Sequence, residues 1–347
     1  DKVTLTKLAA KVATFDFDQA ELQDVLQYLR KTAGVRIYLN WRAAKSVGVD
    51  RSTKISVKLK KAKASAALRA ALTAAAKPGQ LTYAVGEGLV LISTPKDLKK
   101  LLPLASARPA AEADVDRALA GALEKNVLKL DFKEVELRDA LQFLQEVTGT
   151  NMYISRAGLK AAGAKMSAPI RLHVTDVPAR LALVLCLTEA ADTGSLGYAA
   201  ADGVLLISTP DGAKALAALI NSRPQAAKTK QNLRVLKILS ERIPTLHFND
   251  VELKDVIQFL RDAAGLNIFM DWRSLRPAGL KESSPVNLHL KGGAFRTALH
   301  LTLADAAGQR VSPAGFIVED GIIYISTPAG LKKLREAATQ PTTAEAP

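Results

Sequence analysis

At 347 residues, with 48% hydrophobic and 24% charged side chains, the chain has the size of two or three ordinary domains and a composition that excludes wholesale disorder. Its best apolar run, Leu181–Leu187, falls well short of the roughly 18–20 residues that a membrane helix needs, so no bilayer crossing is expected. The net charge of +14 is uneven: residues 1–105 hold 19 basic and 8 acidic side chains, 106–224 hold 13 and 14, and 225–347 hold 16 and 12, so an acidic partner is sought at the first third.

The elements recur in a fixed order. A lead-in helix is predicted over about Val3–Val12, with counterparts at Val115–Asn126 and Leu233–Ile243. A short alternating strand follows at Phe15-Asp16-Phe17, Leu130-Asp131-Phe132 and Leu246-His247-Phe248. Next, Leu22, Val25, Leu26 and Leu29 have the spacing of one buried helix face, and Gly34, Gly149 and Gly265 stand where that helix stops. A strand comes after the glycine, at Val35–Leu39, Asn151–Ile154 and Leu266–Met270. A loop then leads to an alternating strand at 55–59, 170–174 and 286–290, and a second apolar helix runs over about 65–76, 178–190 and 294–306. Two strands close each copy as a hairpin around Glu87-Gly88, Asp202-Gly203 and Asp320-Gly321; the last two have the residue chemistry of a tight turn. A short helix follows each Ser-Thr-Pro, and proline-punctuated linkers are expected at 107–110 and 222–225.

Two markers establish the repeat. Glu21-Leu22-Gln23-Asp24-Val25-Leu26-Gln27 returns at 136–142 and 252–258, offsets of 115 and 116, and Ile-Ser-Thr-Pro ends at Pro95, Pro210 and Pro328. A period this long is a whole domain rather than a solenoid unit of about 20–50 residues. The expected fold class is α+β: three tandem β-α-β-β-α-β-β domains over 1–105, 106–224 and 225–347, each with two helices packed on small mixed sheets, plus connecting helices.

The opening Phe-x-Phe, then Leu-x-Asp-Val-Leu-x-x-Leu, then Gly-x-x-Ile/Met, an alternating strand and a closing hairpin resembles the STN domain, the short amino-terminal domain of secretins and of TonB-dependent signalling receptors. The resemblance spans nearly the whole chain, three times. It implies a periplasmic or secreted, cell-surface location and a role in protein–protein contact: stacked rings in secretins, contact with a membrane-bound regulator in receptors. The chain departs from both in having neither a secretin pore domain nor a receptor barrel. A signal peptide is presumed removed upstream of Asp1, a boundary of the sequence itself being the other explanation.

The residues give no grouping of acid, base and nucleophile, so no enzyme, cofactor or metal site is expected. The single Cys186 sits in an apolar run and excludes an internal disulfide. Of the four histidines, His173 and His289 occupy equivalent strand positions and alternate with apolar neighbours, so they face away from the core. His247 is likewise outward, and His300 lies alone on a helix. The carboxylate pairs Glu21/Asp24, Glu136/Asp139 and Glu252/Asp255 fall in the first turn of a helix, where the macrodipole favours them. No phosphate-binding glycine loop or nucleophile elbow occurs.

Two features stand out as interface candidates. Trp41-Arg42 and Trp272-Arg273 hold equivalent positions past the second strand, where the middle copy has Arg156; Trp and Arg are common interface anchors. Lys54, Lys58, Lys60, Lys61 and Lys63 form a basic run on the third strand of the first copy, suited either to a solvated edge or to an acidic surface. The function expected is a non-enzymatic structural protein whose domains contact copies of the chain in a ring, filament or lattice. The alternatives are a periplasmic adaptor for another envelope protein, and anionic-polymer or nucleic-acid binding by the basic first domain. Nucleic acid is the less expected ligand, because aromatic side chains do not alternate with the lysines as stacking platforms do.

Overall fold

The computed structural model describes residues 1–108, 114–222, 226, 229–308 and 314–339; the expected linker residues 109–110 and 223–225 lie outside these. The protein is mixed α/β, with helices and small sheets recurring in three similar groups. The first group is α1 (Lys2–Ala9), β1 (Lys11–Glu21), α2 (Leu22–Ala33), β2 (Ile37–Leu39), α3 (Trp41–Lys45), β3 (Lys54–Lys63), α4 (Ala64–Ala75), β4 (Thr82–Gly86), β5 (Leu89–Ser93) and α5 (Pro95–Ser106). The second is α6 (Asp114–Glu124), β6 (Asn126–Glu136), α7 (Leu137–Thr148), β7 (Asn151–Ile154), α8 (Arg156–Ala161), β8 (Pro169–Pro178), α9 (Ala179–Ala190), β9 (Gly197–Ala201), β10 (Val204–Ser208) and α10 (Pro210–Asn221). The third is α11 (Lys230–Ser240), β11 (Leu246–Glu252), α12 (Leu253–Ala264), β12 (Asn267–Met270), α13 (Trp272–Leu275), β13 (Pro285–Leu290), α14 (Phe295–Ala307), β14 (Gly315–Glu319), β15 (Ile322–Ser326) and α15 (Pro328–Thr339).

Some bounds and elements differ from the sequence reading: the third strand, expected at 55–59 and 170–174, runs to Lys63 and Pro178 in the first two groups. The lead-in helices end two to three residues sooner, at Ala9, Glu124 and Ser240, and in the first two groups the following strand starts earlier than expected. Val12, expected at a helix end, is a buried strand residue of β1, because pairing with β3 extends from Lys11 to Glu21. The loop expected after the second strand holds a short helix, α3, α8 or α13. Each is capped by a polar side chain, Asn40, Ser155 or Asp271, that accepts the N–H of the third helical residue.

Each group has two sheets. One is an antiparallel pair, β1–β3, β6–β8 or β11–β13. The other has three strands in the order β2-β5-β4, β7-β10-β9 or β12-β15-β14, with a parallel pair followed by an antiparallel one. The closing hairpins turn in two residues that both have positive φ: Glu87 and Gly88, Asp202 and Gly203, Asp320 and Gly321. This is the turn that matches strand twist, and it explains the Asp-Gly pairs.

In the first group, one core is built from α2 and α4 with the inner faces of both sheets. Leu22, Leu26 and Leu68 meet Ile37, Val90 and Ile92 from the three-stranded sheet and Phe15 and Ile55 from the pair. Alternation along a strand then directs Tyr38, Leu89 and Leu91 to the other face of that sheet, yet they too are buried. A second layer therefore covers them.

The described residues form two compact units. Residues 1–108, 121–149 and 164–195 make one; the described residues of 109–120, with 150–163 and those from 196 onward, make the other. The middle group is thus divided. Its β6, β8, α7 and α9 belong with the first group, and its β7, β9, β10, α8 and α10 belong with the third.

Candidate functional site

Lys54, Lys58, Lys60, Lys61 and Lys63 of the β3 run are all exposed. Lys58 pairs with Asp16 across the sheet at 2.9 Å. Trp41 and Trp272 open α3 and α13, half-buried against the cores of their own groups, and the Arg51 guanidinium lies 5.3 Å from the Trp41 ring. Arg42 is half-buried and Arg273 is exposed. The two tryptophans belong to different units, so the structure does not assemble them into one patch within either unit.

What the structure does bring together, twice, is a joint between consecutive groups. In the first unit, the outer face of the β2-β5-β4 sheet is closed by elements of the middle group. Tyr38 Oη donates to Glu189 Oε1 of α9 at 2.7 Å, Arg36 donates to the Asp176 carbonyl at the end of β8, and α5 packs along α9. The hairpin acid Glu87 accepts from Arg180, whose Nε donates to Glu124 at 2.9 Å and Nη1 to the Ala105 carbonyl at 2.6 Å.

The second unit repeats the aromatic–carboxylate contact at equivalent positions, with other partners at the strand start and the hairpin acid. Tyr153, Val204 and Leu206 on the outer face of the β7-β10-β9 sheet share one apolar cluster with Leu301 and Ala304 of α14. Tyr153 Oη reaches Asp305 Oδ1 at 3.5 Å. Asn151 Nδ2 donates to the Lys291 carbonyl at 3.0 Å, and Lys291 N–H donates back to Asn151 Oδ1 at 3.2 Å. The hairpin acid Asp202 accepts from Ala294 N–H at 3.1 Å and from the Thr297 hydroxyl, capping α14. Arg156, the residue standing in the tryptophan position, donates to Asp305 Oδ2 and to the Pro285 carbonyl, both at 2.9 Å.

Sequence reasoning missed these residues because each looks ordinary alone. A signal was present in the helices. In α9 and α14 the apolar residues are spread around the helix and nearly every position is buried, as in a helix covered on most sides, whereas α4 has one buried face.

Burial dominates the electrostatics of the joints. It pushes the Tyr38 and Tyr153 hydroxyls well above their usual range and raises the Glu189 and Asp305 carboxyls. The Cys186 thiol is pushed up in the same way, which makes it inert. His300 of α14 is buried against the Phe316 ring, and burial, with Arg296 adding to it, lowers its imidazole to about 4.

A folded pKa below the unfolded one means that the stability contribution is present above about pH 6.5 and is lost as pH falls towards 4. At about 1.4 kcal/mol per unit, lowering the pH from 6.5 to 5 costs about 2 kcal/mol. The His300→Leu variant is expected to lose correspondingly less stability over that interval, read as urea midpoints. An identical pH slope in the two proteins would overturn the assignment.

Among the described residues no group of three or more potential metal ligands occurs. His173 pairs with Asp131 at 3.2 Å, and His247 with His289 at 3.0 Å, on exposed strand faces. In the first unit a cleft of about 600 Å³ is lined by five basic side chains, Arg51 and Arg171 among them, against Asp24 and Asp131, with Trp41 at its wall. No family model, curated protein or solved structure matches the chain.

Proposed function

We propose that the chain is a non-enzymatic structural protein of the periplasm or cell surface, built from three tandem STN-like domains of β-α-β-β-α-β-β order, that works by associating with copies of itself. The observation that carries this reading is the repeated joint, in which a three-stranded sheet is closed by a helix of the next copy in the same way twice. A surface that docks head to tail on its own successor is heterologous, and such contacts continue into rings or filaments. The Lys54–Lys63 run and the uneven charge supply an electrostatic bias for the encounter.

Light scattering with negative-stain imaging of the purified chain tests this reading in low and in high salt. Rings, filaments or sheets are expected; a monodisperse particle of 37.0 kDa under all conditions would overturn it. A second reading, anionic-polymer binding by the first domain, is favoured by the basic cleft beside Trp41. It calls for binding to heparin or polyphosphate that weakens steeply with salt. Failure of both to bind at low salt would remove it.

A further inference from the structure

We propose that the third group's open sheet docks on α4 of a second copy, repeating between chains the joint made twice within one; this rests on the self-association reading and names its surfaces. The donor side of each joint has the same parts: a residue at the start of the edge strand, an aromatic side chain two positions on, a hairpin acid and a trailing helix. In the third group these are Asn267, Phe269, Asp320 and α15. Phe269 is 50% exposed where Tyr38 and Tyr153 are each 3% exposed. It lies against the Tyr324 ring at 5.7 Å, so the bare face presents an aromatic pair. Among the described residues, no hydrogen bond or ion pair holds the exposed Asp320 carboxylate, whereas Glu87 and Asp202 are both engaged.

The acceptor side is bare at the other end. The positions of α9 and α14 that lie under a sheet, Leu185 and Glu189 or Leu301 and Asp305, correspond in α4 to Ala70 and Ala74, and Ala74 is exposed. The two ends match each other in chemistry. Within the chain a tyrosine hydroxyl meets a carboxylate; at the ends Phe269 lacks the hydroxyl and Ala74 lacks the carboxylate. At these two positions docking therefore buries neither an unpaired donor nor an unpaired charge.

Asp320 falls where Asp202 does, at a helix start, and the residue equivalent to Ala294 is Lys63. Asn267 repeats Asn151, whose partner Lys291 corresponds to Lys60. The carboxyl end of the lysine run thus stands at the socket that receives the hairpin acid. The contact leaves each copy with one plug and one socket, so the assembly extends head to tail.

The test uses two full-length variants. Phe269→Lys places a charge on the sheet and leaves α4 intact; Ala74→Lys does the reverse. Both sites are exposed in the single chain, so the fold is retained. Where the parent chain assembles, each variant alone is expected to run as a monomer in analytical ultracentrifugation. An equimolar mixture is expected to give a dimer that grows no further, because only one productive pair of faces remains. If the parent assembles and either variant still does, or the mixture stays monomeric, the end-face assignment is wrong while self-association stands. If the parent remains monomeric at every concentration, both are overturned.

Discussion

The Arg156→Ala variant is expected to lose about 4 kcal/mol of stability at neutral pH, because it leaves a buried carboxylate without its counter-charge. Asp305 is 1% exposed in its side chain and sits 2.9 Å from the guanidinium. Its other partners are neutral: the Asn287 N–H at 2.7 Å and the Tyr153 hydroxyl. Burial already raises the Asp305 carboxyl, and without Arg156 nothing opposes that shift but these hydrogen bonds. A carboxyl whose folded pKa lies above its unfolded value binds protons more readily when native. The deficit is therefore full at alkaline pH and shrinks as pH is lowered from 8 towards 4. Urea unfolding across that range measures it, and hydrogen exchange at the Asn287 amide localises it. The R156A/D305N double variant keeps an acceptor for that amide but removes the charge, and should regain most of the loss. A double variant as unstable as R156A would show that packing, not charge, is responsible.

Arg180→Met is expected to cost about 3 kcal/mol, less than the first because its acidic partners reach solvent. The Arg180 side chain is 1% exposed, while those of Glu87 and Glu124 are 21% and 41% exposed. Methionine fills the space of the stem but leaves the Ala105 carbonyl without its donor, and that group has little water to turn to. Arg108, 3.0 Å from Glu124, remains to hold one carboxylate. Because Arg180 ties the first group's hairpin and trailing helix to α9, the variant should open the first joint before the domain cores unfold. Limited proteolysis within 95–106 would detect this. Digestion unchanged from the parent chain would contradict the role given to Arg180.

Much of each group is readable from local chemistry. Gly34, Gly149 and Gly265 mark helix ends because they adopt the left-handed conformation that other residues resist. The hairpin acids followed by glycine announce their turns, and the acids of the Glu-Leu-x-Asp repeat sit at the starts of helices α2, α7 and α12. The short helices escaped because each is under two turns, too brief for periodicity; only the caps Asn40, Ser155 and Asp271 signal them. The joints were harder still. Tyr38 lies in a strand buried on both faces, so alternation carries no information about which neighbour covers it. Arg180 looks like a surface residue until Glu87, far away in sequence, is brought beside it. The exchange of tryptophan for Arg156 was visible, but its reason is a carboxylate in the next copy.

The middle copy contributes half of its elements to each compact unit, so the period of the sequence and the period of folding run out of step. Cutting the chain at residue 105 would not release a finished domain; it would strip the cover from the sheet that holds Tyr38 and strand α9 without its roof. The same offset makes gene duplication productive. Each inserted copy brings one sheet to lend and one helix to receive, so a chain can lengthen by whole copies while every internal seam stays closed.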